Sequence, residues 1–217
     1  MAEAFPVTDR TRLVREANRA VYDRDAIYEI LDEAFVCHVG FVAAGEPLVI
    51  PTMFARVGDN LYFHGSAASR MLRGLSCGTP VCITVTLIDG MVLARSVFNH
   101  SMNYRSVVAL GHAALIDDPV EKLHALQAFT EKLLPGRWDD ARQPNEKELK
   151  ATSILKLPLT EVSAKIRAGG VEDDADDYGF RVWAGIIPLR LAADAPVRDE
   201  RCDEAIPVPA YASNFKR

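Results

Sequence analysis

Phe98-Asn99-His100-Ser101-Met102-Asn103-Tyr104-Arg105-Ser106 is a polar stretch that stands where the surrounding pattern predicts a buried strand. Apolar residues precede it at 92–94 and follow it at 107–110. Buried polar groups need hydrogen-bond partners or a ligand, and the guanidinium of Arg105 is a charged fork that suits an anion such as phosphate. The stretch therefore predicts a strand bordering an anion site. A hairpin end, held by the local hydrogen bonds that Asn and Ser favour, is the alternative.

The composition excludes several classes of protein. The chain has 217 residues, of which 49% are hydrophobic and 25% charged, as in an ordinary globular protein. A net charge of −5 without any basic cluster argues against a nucleic-acid partner. No apolar run is long enough to span a membrane, and the first ten residues do not resemble a signal peptide. The four cysteines form no CxxC pair, and no histidine spacing suggests a metal site, so we expect free thiols and a cytoplasmic location.

Strand-like patterns dominate from residue 36 onward and predict a mainly β, α+β fold. Strands are predicted at 36–43, 48–57, 61–64, 81–88, 91–97, 104–116, 154–166 and 180–189. Asp89-Gly90 predicts a hairpin turn, and Pro51 indicates an edge or a bulge. Helices are predicted after a cap at Asp23 or Asp25, after a cap at Ser66, and from Asp117-Asp118-Pro119 to about Leu134. The inward face of the last of these is predicted to hold Leu123, Leu126, Phe129 and Leu133. Because the turns are short, a closed or split antiparallel barrel is favoured over a doubly wound sheet.

The chain divides into three predicted regions. Residues 1–23 are expected to form an arm on the surface or across a partner, and 24–190 a single folded domain. Residues 191–217 are expected to form an irregular tail. The acidic run at 172–177 is interpreted as a solvated face.

A second anion-binding candidate is His64-Gly65-Ser66-Ala67-Ala68-Ser69-Arg70-Met71. Here a predicted strand passes through glycine into the start of a helix, where free N–H groups and the helix dipole favour an anion. Ser66, Ser69 and Arg70 would add donors, although an ordinary capped helix fits the same pattern. Trp183 can stack on a planar ring, or simply pack in the core.

Taken together, these segments resemble the flavin-nucleotide-binding branch of the pyridoxamine 5′-phosphate oxidase-like superfamily, which includes the nitroimidazole-resistance proteins. The resemblance runs from about Arg24 to Leu189. It is carried by Pro51-Thr52-Met53-Phe54, His64-Gly65-Ser66-x-x-Ser69-Arg70, Asp89-Gly90-x-x-Leu93-Ala94-Arg95-Ser96, His100-Ser101-Met102-Asn103-Tyr104-Arg105-Ser106-Val107 and Trp183-Ala184-Gly185. It implies a split β-barrel homodimer with FMN at the subunit interface.

The resemblance also implies roles for particular residues. His64, which matches a histidine beside the reactive centre of the nitroimidazole-resistance relatives, is the predicted catalytic residue, for substrate polarisation or proton delivery. The predicted cofactor contacts fall in four segments. They are Ile50, Pro51, Thr52 and Met53 along the flavin ring; Gly65, Ser66, Ser69, Arg70 and Met71 at the phosphate; Arg105 and Ser106 at or near the cofactor; and Trp183 from the other subunit.

The predicted function is that of an FMN-dependent oxidoreductase acting on an unidentified small molecule. Pyridoxamine phosphate is not the expected substrate, because Val49-Ile50-Pro51-Thr52-Met53-Phe54 replaces the basic, leucine-rich run of the true oxidases and their C-terminal signature is not recognisable. Two alternatives stay open. One is a flavin-binding protein without catalysis, and the other is a haem-binding split barrel with His64, His38 or His100 as the axial ligand.

Overall fold

The computed structural model describes residues 3–216, which form a ten-stranded antiparallel sheet with helices packed against it. The strands are β1 (Ala20–Val21), β2 (Val36–Ala43), β3 (Glu46–Val57), β4 (Asn60–Ser66), β5 (Pro80–Leu93), β6 (Ser101–His112), β7 (Ala114–Leu115), β8 (Thr152–Pro158), β9 (Glu161–Arg167) and β10 (Gly185–Pro188). The helices are α1 (Arg24–Glu33), α2 (Arg70–Ser76), α3 (Pro119–Leu133), α4 (Arg137–Asp140), α5 (Glu146–Ala151) and α6 (Ala210–Ser213). The predicted fold class, a split antiparallel barrel with flanking helices, is confirmed.

The strand order is β1-β9-β6-β5-β2-β3-β4-β8-β7, with β10 added beside β5. Its longest ladder joins β5 to β6, from Pro80 opposite His112 to Val92 opposite Ser101. The hairpin predicted at Asp89-Gly90 is wrong, because β5 continues through it with a register shift between Ile88 and Gly90. A Cβ at Gly90 would lie 3.1 Å from the Ile187 carbonyl oxygen, so glycine serves here to let β10 approach a bulged strand.

Strand β3 belongs to both halves of the sheet. Residues 46–53 pair with β2, and Phe54 to Val57 pair with β4. Pro51 lies opposite His38 and is exposed, in the part of β3 that pairs only with β2 among the described strands. Since proline lacks the N–H that a second neighbour would require, the edge position predicted for Pro51 is confirmed.

The main core lies between α1 and the inner face of the sheet. Asp23 caps α1 by accepting a hydrogen bond from Ala26 N at 2.9 Å, which confirms one of the two predicted caps. Ile27, Ile30 and Leu31 of α1 are fully buried in this core. The N-terminal arm joins the same core, because Phe5 is buried. The arm therefore packs on its own domain.

A smaller core forms where α3 crosses the opposite face of the sheet. It contains Ala55, Tyr62, Ile116, Ala125, Phe129 and Ile154. Asp118 caps α3 as predicted, but Leu123 and Leu133, predicted to point inward, are exposed. Ala125 and Phe129 are four residues apart and share one face of the helix. The predicted inward face of α3 is thus confirmed at Phe129 and Leu126 and wrong at Leu123 and Leu133.

Several predicted boundaries are wrong for local reasons. Helix α2 begins at Arg70, and its cap is Ser69 rather than Ser66, because Ser69 Oγ accepts the hydrogen bond from Leu72 N. The strand predicted at 154–166 is interrupted between β8 and β9, and the last strand covers only Gly185–Pro188. The polar segment before Lys150 contains two short helices that were not predicted, α4 and α5.

The acidic run at 172–177 is not uniformly solvated. The Asp173 side chain is fully buried and accepts hydrogen bonds from the backbone N–H groups of Arg95 and Ser96 and from the Arg95 guanidinium at 3.0 Å. Burial raises the pKa of this carboxyl, but these hydrogen bonds outweigh it and hold the pKa below its usual value. Asp173 therefore anchors the loop that leads into β10. Within residues 3–216, no helix has the length and apolarity needed to cross a bilayer.

The cysteines give a direct test of the core. Cys37 is fully buried in β2, and burial raises its pKa to about 12, whereas Cys77 is exposed at the end of α2. Since the thiolate is the reactive form, iodoacetamide at pH 8 should alkylate Cys77 in the native protein and Cys37 only after unfolding. Peptide mapping by mass spectrometry would measure both sites, with urea-unfolded protein as the control. Equal labelling of the two in the native protein would contradict the placement of β2.

Candidate functional site

A cavity of about 370 Å³ lies between α3, the β3–β4 part of the sheet and the segment that follows α3. It contains two of the predicted site residues, Met53 and His64, and adds residues from three helices and a loop. The lining residues are Met53, His64, Leu126, Phe129, Thr130, Leu133, Trp138, Ala141, Arg142, Gln143, Pro144 and Glu148. Its walls are mainly apolar and aromatic, as in many cofactor sites.

His64 is the chemically distinctive group in this cavity. It lies in β4 opposite Ile154, and its ring centroid is 4.3 Å from that of Phe129 at an angle of 58°. Its Nδ1 is buried and has no hydrogen-bond partner among residues 3–216. Burial lowers the pKa of the imidazole, so the ring is neutral at neutral pH. Leaving a buried polar atom without a hydrogen-bond partner costs about 1–3 kcal/mol of folding free energy. This cost indicates that the His64 side chain binds a ligand.

The charged groups of the cavity lie at its rim. Arg142 forms a two-pronged ion pair with Glu148, at 2.7 and 3.0 Å. The pKa of Glu148 is lowered to about 2 by Arg142 and by the backbone N–H of Asn145. Both side chains are exposed, so the pair adds little to stability. The interior therefore contains a neutral imidazole among apolar walls, with charge only at the mouth.

The predicted residues of β3 divide between the two faces of the strand. Met53 lines the cavity, whereas Ile50 packs against the main core. Thr52 is half-buried and Pro51 is exposed. Because neighbouring side chains of a strand point to opposite faces, Met53 and Thr52 cannot contact the same surface of one bound group.

The segment predicted to bind phosphate lies directly after His64. Ser66 Oγ accepts a hydrogen bond from Ala68 N at 3.2 Å, and Arg70 is exposed, with no ion pair to any described residue. A Cβ at Gly65 would lie 3.1 Å from Leu72 Cδ1, so this glycine makes room for α2. Met71 is buried in the main core, and its side chain faces that core rather than a cofactor on the surface.

The polar stretch at 98–106 finds its partners within the chain. Asn103 accepts a hydrogen bond from the Arg167 guanidinium at 2.5 Å, and Ser106 Oγ donates to the Lys165 carbonyl at 3.2 Å. The Arg105 guanidinium donates hydrogen bonds to two carboxylates. Its nitrogens lie 2.7 and 3.0 Å from the Asp89 oxygens and 2.9 Å from Glu33 Oε1.

These carboxylates raise the pKa of Arg105, Asp89 most strongly. A role for Arg105 in phosphate binding would require these ion pairs to break. The geometry therefore gives it a structural role, joining the end of α1 to the bulge of β5.

Trp183 lies just before β10 and is 64% exposed. Its own ring occupies the space beside Gly185, where a Cβ would lie 2.7 Å from Trp183 Cζ2. The glycine thus accommodates the tryptophan ring. Stacking of Trp183 on a flavin stays a prediction.

Most residues of the cavity had no predicted role in a functional site. Phe129 was predicted to be a core residue, and Trp138 and Arg142 had no predicted role. The available signal was a tryptophan in an otherwise polar segment, which is an unusual position for so large an apolar side chain. In the described part of the chain, no cluster of three or more His, Cys, Asp or Glu residues is arranged to hold a metal ion.

Comparison with known proteins identifies related chains of nearly the same length. The family model described as pyridoxamine 5′-phosphate oxidase matches residues 23–166. The flavocytochrome Anf3 from Azotobacter vinelandii is 41% identical, with a TM-score of 0.91 over 96% of this chain and 97% of its own. The FAD and heme binding protein from Mycobacterium smegmatis is 34% identical, with a TM-score of 0.86 over 89% and 95%.

A candidate 5-nitroimidazole antibiotic resistance protein from Bacteroides thetaiotaomicron is 26% identical, with a TM-score of 0.56 over 68% of this chain and 86% of its own. No curated protein sequence matches the chain. The first two of these similar proteins are described as a flavocytochrome and as an FAD and heme binding protein.

The ion pairs of Arg105 can be separated from any cofactor role by a double-mutant cycle. Arg105→Ala and Asp89→Ala should each lower the free energy of unfolding, and the cycle should give a coupling of about 1 kcal/mol, as for partly exposed pairs. Urea unfolding measures both quantities. If Arg105→Ala leaves stability unchanged and instead abolishes cofactor binding, the structural role is wrong.

Proposed function

We propose, because the chain belongs to the pyridoxamine 5′-phosphate oxidase family, that it is a flavin-binding redox protein that also binds haem. Family membership supports the flavin, and the flavocytochrome and the FAD and heme binding protein, similar over nearly the whole chain, support the pair of cofactors. The observation that carries the haem part is His64, a neutral imidazole with a buried, unpartnered nitrogen in an aromatic cavity.

His64 fits an axial ligand better than the other histidines. Of the five histidines in the chain, all within the described residues, the other four are exposed. His38 lies on the outer side of β2, and the Nδ1 atom of His100 is 2.9 Å from the Ser96 carbonyl oxygen. Haem iron takes a neutral imidazole nitrogen, and the cavity around His64 offers one among apolar walls.

Iron ligation also fits His64 better than the proton delivery predicted from the sequence. A proton donor or relay needs a hydrogen-bonded partner and a pKa near the working pH. Burial lowers the pKa of His64, and the Phe129 ring lies against it. We therefore assign the side chain to holding a ligand.

The flavin is proposed to bind through the segment that follows His64. Arg70 has an exposed guanidinium without an ion-pair partner in the described residues, and Ser66 and Ser69 precede it in the chain. A flavin phosphate is the anion that such a group would bind. FMN is the cofactor predicted from the sequence, but the relative described as binding FAD favours FAD.

The predicted homodimer is supported by exposed apolar side chains in the connection between β5 and β6 and just before β10. Phe98 is 91% exposed, and Val97 and Trp183 are also exposed. Large apolar groups of this kind commonly mark protein interfaces. We propose that a second copy of the chain covers them, as the family resemblance implies.

When bound, the flavin would supply hydride or single-electron transfer and the haem single-electron transfer. The chain's own part is to bind and insulate. Leu126, Phe129 and Trp138 exclude water from the side of His64, and Arg70 neutralises an anionic cofactor group. The proposed activity is oxidoreduction of a small molecule.

Cofactor content of variants tests this proposal. Protein expressed with added 5-aminolevulinate and iron should contain flavin and haem, measured by HPLC and by the pyridine haemochrome assay. His64→Ala should lose nearly all haem and keep its flavin, because only the haem depends on the imidazole. His124→Ala, an exposed histidine on α3, is the matched control and should keep both. Haem retained at the wild-type level in His64→Ala would refute the assignment.

Arg70 gives the corresponding test for the flavin. Arg70→Ala should weaken flavin binding about tenfold, because a charge-assisted hydrogen bond to an anion is lost, while haem content stays unchanged. Arg73→Ala, on the same helix, is the control. Equal flavin affinities of Arg70→Ala and the wild type in fluorescence titration would remove Arg70 from the site.

Reduction of the bound flavin separates an enzyme from a binding protein. If nicotinamide nucleotides and other donors fail to reduce the flavin, the alternative of a binding protein without catalysis is favoured.

A further inference from the structure

The C-terminal helix α6 contacts the segment that forms one wall of the His64 cavity. The Tyr211 hydroxyl donates a hydrogen bond to Asp140 Oδ2 at 2.6 Å and accepts one from Arg137 Nη1 at 3.1 Å. The Tyr211 ring lies against Gly136, where a Cβ would be 3.5 Å from Tyr211 Cδ1. One tail side chain therefore holds both ends of α4.

Helix α4 needs such support because it is short and has no buried residue. Four residues do not make a stable helix on their own. On its α3 side, α4 is held by Glu131, whose carboxylate accepts hydrogen bonds from Gly136 N at 2.8 Å and Trp138 N at 3.1 Å. Tyr211 supplies the contacts on the other side.

The residues held in this way line the cavity. Trp138 lies within α4, and Ala141 and Arg142 follow it directly, and all three line the His64 cavity. Gln143 Nε2 also donates to the Trp138 carbonyl at 2.9 Å, which ties the loop back to the helix. A shift of α4 would therefore move an entire wall of the cavity.

Tyr211 reaches α4 through a connection that is otherwise hardly packed. Residues 190–208 are exposed except for Cys202, which is half-buried. Pro207 and Pro209 restrict the backbone just before α6. The docking of the tail at this point thus rests largely on the contacts of α6 itself.

We propose that Tyr211 is a positioning residue for the His64 cavity, fixing α4 so that Trp138 and Arg142 are preorganised around a bound ligand. The identity of that ligand as haem rests on the proposed function, whereas the contact between tail and wall does not. A preorganised wall lowers the cost of ordering the site on binding. The tail of the chain is thereby part of the cofactor site.

Two readouts test this role. The chain has two tryptophans, so Trp183→Phe leaves Trp138 as the single reporter of the wall. In that background, Tyr211→Ala should raise acrylamide quenching of Trp138 about twofold, as expected of a locally loosened segment, and Tyr211→Phe should raise it less. Ser213→Ala is the control, because within residues 3–216 this exposed hydroxyl bonds only to Ala210 O of its own helix. Circular dichroism and thermal unfolding must show that the variants remain folded.

The second readout uses haem, with Trp183 intact. Transfer of haem to apomyoglobin should be about fivefold faster from Tyr211→Phe than from the wild type, because the substitution removes both hydrogen bonds of the hydroxyl, and unchanged in Ser213→Ala. Unchanged Trp138 quenching in both Tyr211 variants would overturn the proposal, and so would an unchanged transfer rate. If quenching rises but the wild type binds no haem, the placement of Tyr211 is supported and the haem function is refuted.

Discussion

The exchange of pairing partners along β3 fixes where the two helices α1 and α3 and the cavity can lie. One strand of twelve residues pairs with β2 up to Met53 and with β4 from Phe54 onward. Phe54 is fully buried at the exchange point, and Lys132 of α3 lies 3.8 Å above its ring. Lys132 Nζ also donates to the Leu31 carbonyl at 2.6 Å. The exchange point is therefore fastened to the ends of both α1 and α3.

The cavity is a consequence of this arrangement. The strand exchange gives the β3–β4 half of the sheet an outer face, which α3 covers through Ala125 and Phe129. His64 lies towards the end of β4, where this cover gives way to the segment after α3. Its imidazole is thus buried beside Phe129 yet borders open space. The sheet alone would not produce this combination, because it needs a helix on one side and a short loop on the other.

Local features of the sequence could be predicted well. Alternation identified most strands, Asp23 and Asp118 capped helices as expected, and Pro51 marked an edge, because each of these signals depends on nearest neighbours. The hairpin predicted at Asp89-Gly90 was wrong, because the same two residues fit either a turn or a bulge. The approach of β10 decides between the two. The carboxylate of Glu33 lies 72 positions from Arg105, so no local pattern reveals that their side chains pair.

The candidate site was predictable only in part, for the same reason. Met53 and His64 were named from the sequence and do share a cavity, but Phe129 and Trp138 reach it from distant parts of the chain. Tyr211, more distant still, contacts the helix that contains Trp138. The family resemblance correctly indicated the fold. It could not reveal an orphaned nitrogen, because burial and the lack of a partner are properties of the packed molecule.

Anomalous X-ray scattering at the iron absorption edge, from crystals of haem-supplied protein, would show whether the His64 cavity holds haem as proposed. We predict an iron peak at coordination distance from a His64 ring nitrogen, with none at His38 or His100. An iron peak elsewhere, or well-ordered protein crystals without iron despite haem supply, would contradict the claim.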